Sequence, residues 1–295
     1  MALPPHAPPP NITRYLKPHA TGQQRVAHLR GLGLHVPRPN VAAKKIDAIG
    51  YERLRIYLLS RRDATLPNKP FIAGTTYQNI LQIYDCDAKL RDACFIAVGQ
   101  FELHFRNAVS EILSDAYGSH PYFNNNAFNS SKAQLECLKT FSSVYLGSKD
   151  YRAKHYRDAY DYPFLPPIWR MKEFMTFGKI SLIFKRLNKK VREDVAKEFG
   201  VMSEEIFSHW IDCLVDIRNI CAHHDRLFNR SMQKQPGLYK NGNVPLVQTP
   251  KNKLKAILEC LDYMMNARGS PVNAVFNVQR IITKYPEVRL NEAGY

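Results

Sequence analysis

The sequence predicts an all-α protein, and three observations support this fold class. A proline-free stretch from residue 75 to about 117 repeats apolar residues at the helical period and is interrupted only by Gly99. A second apolar run, with Ile206, Trp210 and Leu214, has the same spacing. The 295 residues are 45% hydrophobic, which is enough for a substantial core.

Three short helices are predicted before the long one, and they form a small N-terminal subdomain over residues 21–66. Thr21 or a neighbour can cap the first, which ends at the glycines of 31–33. Asn40 can cap the second, which ends at Gly50, and residues 51–62 form the third. Residues 1–20 read as a Pro-rich N-terminal arm, and 67–295 as the main helical domain.

Further helices follow the long one, separated by polar segments. A loop rich in Asn, Ser and Tyr occupies 118–131, and a polar loop at 229–251 could include a short hairpin. Asn252 is the expected N-cap of the first closing helix. The predicted helices span 133–146, 169–188, 191–200, 203–226, 252–267 and 274–285.

The charge balance favours a polyanionic partner. Lys and Arg exceed Asp and Glu by 16, which indicates nucleic acid ahead of a membrane surface. No apolar run approaches the roughly 20 residues of a transmembrane helix, and the N-terminus lacks the pattern of a signal peptide. Six scattered cysteines without a Cys-x-x-Cys pair indicate reduced thiols in a cytoplasmic protein. We expect no cofactor and no metal.

The most informative segment lies at the end of the predicted 203–226 helix. Residues 217–230 read IRNICAHHDRLFNR and place Arg218 five positions before His223. Arg offers a permanent charge and a fork that fits phosphate, and His exchanges protons near neutral pH. Five positions on a helix differ by roughly 140° in azimuth and about 7.5 Å in rise. The two side chains could therefore meet near a fraying helix end or across two copies of the helix.

This segment resembles the signature of Abi-like (AbiD/AbiF type) abortive-infection proteins of the HEPN superfamily of RNases. Other segments resemble that family in the same order and extend the resemblance over roughly residues 20 to 230. They are 23–34 (QQRVAHLRGLGL), 49–54 (IGYERL), 73–77 (AGTTY), 84–91 (YDCDAKLR), 101–106 (FELHFR), 116–118 (AYG), 167–169 (PIW) and 173–178 (EFMTFG).

The resemblance implies a HEPN-like helical bundle that works as a homodimer and cleaves RNA. The resemblance implies a toxin of phage defence that a small structured RNA can inhibit, in the manner of a toxin–antitoxin pair. It leaves a 2′,3′-cyclic phosphate and a 5′-hydroxyl. We assign the catalytic roles to Arg218 and His223, with Asn219 and His224 as assisting residues.

Several further residues have two open interpretations. Glu102 and Arg106, four apart, either form an intrahelical ion pair or orient the catalytic histidine and line the RNA groove. Arg226, Asn229 and Arg230 either contact the RNA backbone or brace the turn after the helix.

For other residues a structural role is expected. We expect Glu173, Phe177 and Gly178 to serve packing, with Gly178 allowing close helix approach. We expect the clustered cations to form solvated helix faces rather than to contact RNA. We expect the interleaved tyrosines to serve packing rather than to stack on bases. The cations are Lys185, Arg186, Lys189, Lys190, Arg192, Lys251, Lys253 and Lys255, and the tyrosines are Tyr151, Tyr156, Tyr160 and Tyr162.

Two other functions compete with the nuclease. One is an RNA-binding protein that positions phosphate without cutting it, and the other is a DNA-binding regulator that uses residues 20 to 62. Motifs of metalloproteases, P-loop enzymes and α/β-hydrolases are missing from the sequence, and Cys221 with His224 lacks the further ligands of a zinc site.

Overall fold

The computed structural model describes residues 18–237, 240–241, 244–245 and 250–295, and it confirms the all-α class. Besides helices and 3₁₀ turns, the described part holds one antiparallel pair of two-residue strands, β1 (Lys240–Asn241) and β2 (Val244–Pro245). This pair lies in the 229–251 loop, where a short hairpin was predicted. Most of the predicted N-terminal arm, residues 1–17, lies outside the described residues.

The chain divides between Tyr84 and Asp85 into two compact units. The division falls within the longest helix, whose 41 residues match the predicted 75–117 stretch closely. The predicted domain boundary at residues 66–67 stays a prediction. The helices are α1 (Gly22–Gly31), α2 (Pro39–Ile49), α3 (Tyr51–Leu59), α4 (Tyr77–Tyr117), α5 (Ser131–Gly147), α6 (Tyr151–Ala159), α7 (Ile168–Met171), α8 (Phe177–Arg186), α9 (Lys189–Glu198), α10 (Glu204–Ala222), α11 (Leu254–Ala267) and α12 (Ala274–Ile282).

In the N-terminal unit, α1 begins as predicted and packs closely on α2. Thr21 and Gln24 form a capping box, in which each side chain accepts a hydrogen bond from the other residue's backbone N–H. A Cβ on Gly22 would lie 2.4 Å from the carbonyl oxygen of Ala43, so this close approach requires glycine. The core of the unit contains Val26, Leu29, Leu34, Ile46, Leu54, Tyr57, Leu58 and Ile80.

The C-terminal unit is built around phenylalanines on three helices and one turn. Phe101 and Phe105 of α4 are fully buried, and they meet rings from α8, α10 and the turn after α9. The ring centroids lie 5.4 Å apart for Phe105 and Phe184, 5.2 Å for Phe101 and Phe199, and 6.0 Å for Phe105 and Phe207. This cluster places α4 beside α10, the two helices that carry the candidate site.

Several predicted boundaries were wrong, because competing caps determine where helices begin. Asn40 does not cap α2; the helix begins at Pro39, whose fixed φ suits the first helical position. Asn252 does not cap α11 either, since the cap residue is Lys253. The helix α6 was missed, although Asp150 caps it by accepting from the backbone N–H of Arg152.

The predicted 169–188 helix is also broken. Thr176 caps α8 by accepting from the backbone N–H of Lys179, so the chain cannot continue helically from α7 into α8. Phe177 is buried as predicted. The packing role was wrong for Glu173, whose side chain is 41% exposed, and for Gly178, where an added Cβ would meet only Val215 at 4.0 Å.

Candidate functional site

The helix α10 ends at Ala222, four residues before its predicted end. Its last turn is closed by a Schellman motif, in which the N–H groups of His224 and Asp225 donate to the carbonyls of Cys221 (3.1 Å) and Ile220 (2.9 Å). This closure requires a left-handed residue, and His224 takes that position with φ of +56°. Sequence reasoning missed the end because glycine normally marks it.

A histidine at this position carries a cost. Left-handed backbone conformation is strained by about 1 kcal/mol or more for a residue with a Cβ, and glycine would relieve it. The chain nevertheless places an exposed imidazole there, directly after exposed His223. The helix end thus presents two adjacent histidine side chains to solvent.

Arg218 is held between α10 and α4. Its Nε lies 3.8 Å from Oε2 of Glu102, and its guanidinium carbon lies 5.9 Å from the ring centroid of Phe95. The side chain is 30% exposed, and its Nε is buried without a hydrogen-bond partner. The Nε edge therefore faces the carboxylate, while the rest of the fork is left for a ligand.

Glu102 lies between two guanidinium groups. Its Oε1 accepts a hydrogen bond from Arg106 one turn along α4, and Oε2 faces Arg218. The Glu102 side chain is only 9% exposed. The structure therefore brings together three of the predicted residues, two from α4 and one from α10, around a single carboxylate.

Asn219 and His223 lie on the solvent side of the same helix end. Both residues are exposed, and within the described residues neither side chain has a hydrogen-bond partner. They are four positions apart, which places them on one helical face. The pair is accessible to a ligand, in contrast to the anchored Nε edge of Arg218.

Behind the site lies an ion pair that sequence reasoning did not single out. Asp87 and Arg91 on α4 are buried and joined at 2.5 Å. The other oxygen of Asp87 accepts from the backbone N–H groups of Leu227 (3.0 Å) and Phe228 (2.7 Å). Asp87 thereby fixes the turn that follows the two histidines. The i, i+4 spacing of Asp87 and Arg91 was a signal for the ion pair, but the contact with residue 227 is not encoded locally.

The remaining predicted residues lie in that turn. The Arg226 guanidinium donates to the carbonyls of Phe228 (2.6 Å) and Asn229 (2.7 Å), and Arg230 donates to the carbonyl of Arg226 (3.3 Å). The backbone N–H of Asn229 donates to the carbonyl of Glu292. These contacts tie the segment to its own backbone and to the C-terminal end of the chain.

Comparison with known proteins identifies the family. A family model described as Abi-like protein matches residues 44–229, which contain every predicted site residue except Arg230. The chain belongs to the Abi-like protein family. Membership in this family suggests a role in abortive infection. No curated protein and no solved structure matched the chain.

In this Abi-like protein the basic cluster at residues 185–192 is neutralised by ion pairs. Each of its five cations has a carboxylate within 4 Å, so the cluster offers less free positive charge than its composition suggests. The pairs are Lys185–Asp212, Arg186–Glu136, Lys189–Glu193, Lys190–Asp194 and Arg192–Glu204.

Other chemistries find little support around the Abi-like site. Burial raises the pKa of the Cys221 thiol to about 12, so this cysteine beside the histidines is a poor nucleophile. In the described part of the chain, no group of three His, Cys, Asp or Glu side chains is placed to hold a metal ion. No helix there is both long and apolar enough to cross a bilayer.

An exposed apolar stripe on α4 borders Arg218. Ile96 (64% exposed) and Leu103 (62%), seven positions apart, share one face of this helix, and Phe95 (44%) lies on the adjoining face next to Arg218. Gly99 lies between them, and a Cβ added there would meet nothing within 4 Å. The stripe is therefore an open apolar surface beside the Arg218–Glu102 pair.

Proposed function

We propose that this Abi-like protein is a HEPN-type endoribonuclease, a cytoplasmic toxin that cuts RNA without a metal ion during abortive infection. The observation that carries the proposal is the setting of Arg218. Its Nε edge faces Glu102, and the Nη groups remain for a phosphate about one and a half turns before exposed His223.

The chemistry follows from these two side chains. The neutral imidazole of His223 takes the proton of an RNA 2′-hydroxyl, and the resulting oxygen attacks the adjacent phosphorus. Arg218 stabilises the negative charge that develops on the non-bridging oxygens. The bond from phosphorus to the 5′-oxygen breaks, which leaves a 2′,3′-cyclic phosphate and, after protonation, a 5′-hydroxyl. Asn219, on the face of His223, orients the imidazole or contacts a phosphate oxygen.

The leaving oxygen needs a proton from a second acid. His224 is one source, and water or the His223 of a second copy are the others. We propose that the second copy docks on the α4 stripe of Phe95, Ile96 and Leu103, because this apolar surface borders Arg218. A two-fold arrangement of this kind would form one groove from two Arg–His sets. The excess of 16 positive charges also suits a small structured inhibitory RNA.

The test of catalysis uses the purified protein with mixed cellular RNA in EDTA and maps the ends produced. Wild type should leave cyclic-phosphate and 5′-hydroxyl ends, and His223→Ala should lower the rate by about 10²–10⁴-fold. His209→Ala is the matched control, because His209 is an exposed histidine on the same helix. It should cut like wild type.

Each result decides the proposal. Cleavage that persists in His223→Ala overturns the assigned base, and cleavage that requires added metal overturns the metal-free mechanism. RNA that is bound but uncut, both alone and with lysate of infected cells, would instead establish a non-catalytic RNA-binding protein.

The second copy is tested with Ile96→Glu, which places a charge within the apolar stripe. Sedimentation should show loss of the dimer, and cleavage should fall with it. Met202→Glu is the control, because Met202 is comparably exposed (68%) outside the stripe. A monomeric wild type with full activity would refute the dimer.

One observation favours DNA or RNA binding by the N-terminal unit as a second candidate function. A cavity of about 560 Å³ in this unit has Arg25, Arg55 and Arg62 in its lining and Glu52 as its acidic residue. Arg55 is paired with Glu52 at 3.4 Å, and Arg62 donates to the carbonyls of Asn68 and Lys69. The three guanidinium groups and one carboxylate still leave a net positive charge that suits a phosphate. Duplex DNA binding that survives His223→Ala but falls in Arg55→Ala would support this function, and binding unchanged in Arg55→Ala would refute it.

A further inference from the structure

A second cavity lies in the C-terminal unit beside α6 and α7. It has a volume of about 350 Å³, and its lining includes two aromatic rings that are exposed to solvent. The Tyr151 side chain is 78% exposed and Trp169 is 45% exposed. The cavity is lined by Tyr151, Arg152, His155, Trp169, Arg170 and Glu173.

Packing explains the neighbouring Tyr156 but not these two rings. Tyr156 is buried, and its hydroxyl donates to the carbonyls of Pro163 (3.1 Å) and Leu165 (3.2 Å). Tyr151 and Trp169 have the opposite setting, since each exposes a large ring at a cavity of ligand size. The expectation that the tyrosines of this segment serve packing is therefore confirmed for Tyr156, whereas Tyr151 is exposed.

The lining also includes charged side chains that are held in place by ion pairs. The Arg152 guanidinium donates twice to Asp150, at 3.0 and 2.8 Å, and its Nη1 lies 3.6 Å from Glu173. Hydrogen bonds from the Arg152 side chain and backbone lower the pKa of Asp150 to about 2, so these charges persist at neutral pH. Arg152 is thus balanced by carboxylates, and it also lies 6.0 Å from the ring centroid of Tyr151.

Arg170 supplies the free positive charge of the cavity. Its guanidinium forms no ion pair or hydrogen bond with the described residues, and the residue is partly exposed. The combination of two open rings and one uncommitted guanidinium is the one that proteins use for unpaired nucleotides, with rings for the base and a cation for the phosphate. Bases in a duplex do not offer their faces in this way.

The cavity and the Arg218 site are attached to the same helix. Lys172, which precedes Glu173, donates to the side chain of Asn107 on α4 and lies 3.9 Å from Glu111. Asn107 directly follows Arg106, the partner of Glu102. Both places therefore belong to one compact unit of the chain.

We propose that this cavity holds one unpaired base of the RNA substrate between Tyr151 and Trp169, with Arg170 on a neighbouring phosphate. The inference rests on the proposed function, since it takes RNA to be the substrate. It adds the class of RNA, which is single-stranded or looped, and a binding position away from the cleaved bond.

The two tryptophans of the chain allow a direct test. Trp210 is fully buried, and its indole N–H donates to the carbonyl of Gly237, whereas Trp169 lies open at the cavity. Stacking of a base should therefore quench the emission of Trp169 alone. The titration uses a short oligoadenylate with the His223→Ala protein, so that the RNA stays intact, and a labelled oligomer reports total binding by anisotropy.

We expect saturable quenching in parallel with anisotropy. Trp169→Phe should lose the quenching but bind with similar affinity, because phenylalanine still offers a ring. Trp169→Ala and Tyr151→Ala should each bind about 5- to 150-fold more weakly, the range for loss of one stacked base. Tyr151→Phe and Phe276→Ala should bind normally, the latter because Phe276 is an exposed ring (60%) on α12.

Three results would overturn the site. They are saturation by anisotropy without quenching, equal quenching by an RNA duplex, and a Trp169→Ala protein that binds like Phe276→Ala. A change of emission with protein concentration alone would show that a second copy covers Trp169 instead. These outcomes distinguish the nuclease proposal from the base-binding proposal. If the wild-type protein stacks the oligomer but cleaves no RNA, only the nuclease proposal is refuted. Cleavage without quenching refutes this site alone.

Discussion

Two carboxylate–arginine pairs with the same four-residue spacing lie about four turns apart on α4. Asp87 and Arg91 form the first, and Glu102 and Arg106 the second. The first is closed to solvent, with side-chain exposures of 0% and 6%, and the second is partly open, with 9% and 18%. A rule based on spacing alone would treat them alike.

The difference lies in what the second carboxylate oxygen does. In Asp87 it accepts two backbone N–H groups, so its hydrogen-bonding capacity is used within the fold. In Glu102 it faces Arg218 at 3.8 Å, which is too long for a hydrogen bond. A saturated buried pair indicates a structural role, and an unsaturated one beside an exposed helix end indicates a site that a ligand completes.

The largest effect is expected from Asp87→Asn. This change removes the charge that balances buried Arg91 and should lower the free energy of unfolding by about 3–5 kcal/mol. Urea unfolding measures it. Asp92→Asn is the control, since Asp92 on the same helix is 67% exposed with a weak partner, and it should change stability by less than about 1 kcal/mol. Equal losses of unfolding free energy in Asp87→Asn and Asp92→Asn would contradict the structural role proposed for the Asp87–Arg91 pair.

The next-largest effect is expected at Arg218, which faces the partly open Glu102–Arg106 pair. Arg218→Lys keeps the charge but loses the fork, and cleavage should fall by about 10²-fold with little change in unfolding. Single-turnover rates measure it. Arg106→Lys is the comparison, and it should lose less activity because Arg106 contacts Glu102 and not the phosphate. A fully active Arg218→Lys would remove the phosphate role.

A smaller loss is expected from Glu102→Gln, which keeps the shape but not the charge that orients Arg218. Cleavage should fall about tenfold, which corresponds to ~1.4 kcal/mol. The double variant with Arg218→Lys should lose less than the sum of the two single losses, because both act through one contact. Strict additivity would mean that Glu102 acts independently of Arg218.

The smallest effect has the opposite sign. His224→Gly relieves the left-handed backbone and should raise the free energy of unfolding by about 1 kcal/mol. If His224 donates the proton to the leaving oxygen, the same variant should cut more slowly. His224→Asn separates the effects, because Asn tolerates this backbone but cannot replace the imidazole. A His224→Gly protein that cleaves RNA more slowly without any gain in stability would refute the proposed backbone strain at residue 224.

Locally encoded features were predictable from the sequence. The all-α fold class, the extent of α4 and the Thr21 cap could be predicted, because helical periodicity and capping residues depend on positions close together in the sequence. The end of α10 was not, since the residue that closes it is a histidine. The bonds from Leu227 and Phe228 to Asp87 join positions 140 and 141 apart, and only the folded chain brings them together.

The buried cysteines allow selective labelling. All six are free and buried, and burial is the main cause that raises the pKa of those at positions 86, 137, 213 and 221 to about 12. At neutral pH these thiols should not react with maleimides, because the thiolate is the reactive form. A cysteine introduced at exposed Met202 could then carry a spin label in the otherwise natural chain, and the distance between two such labels would report the geometry of any assembly.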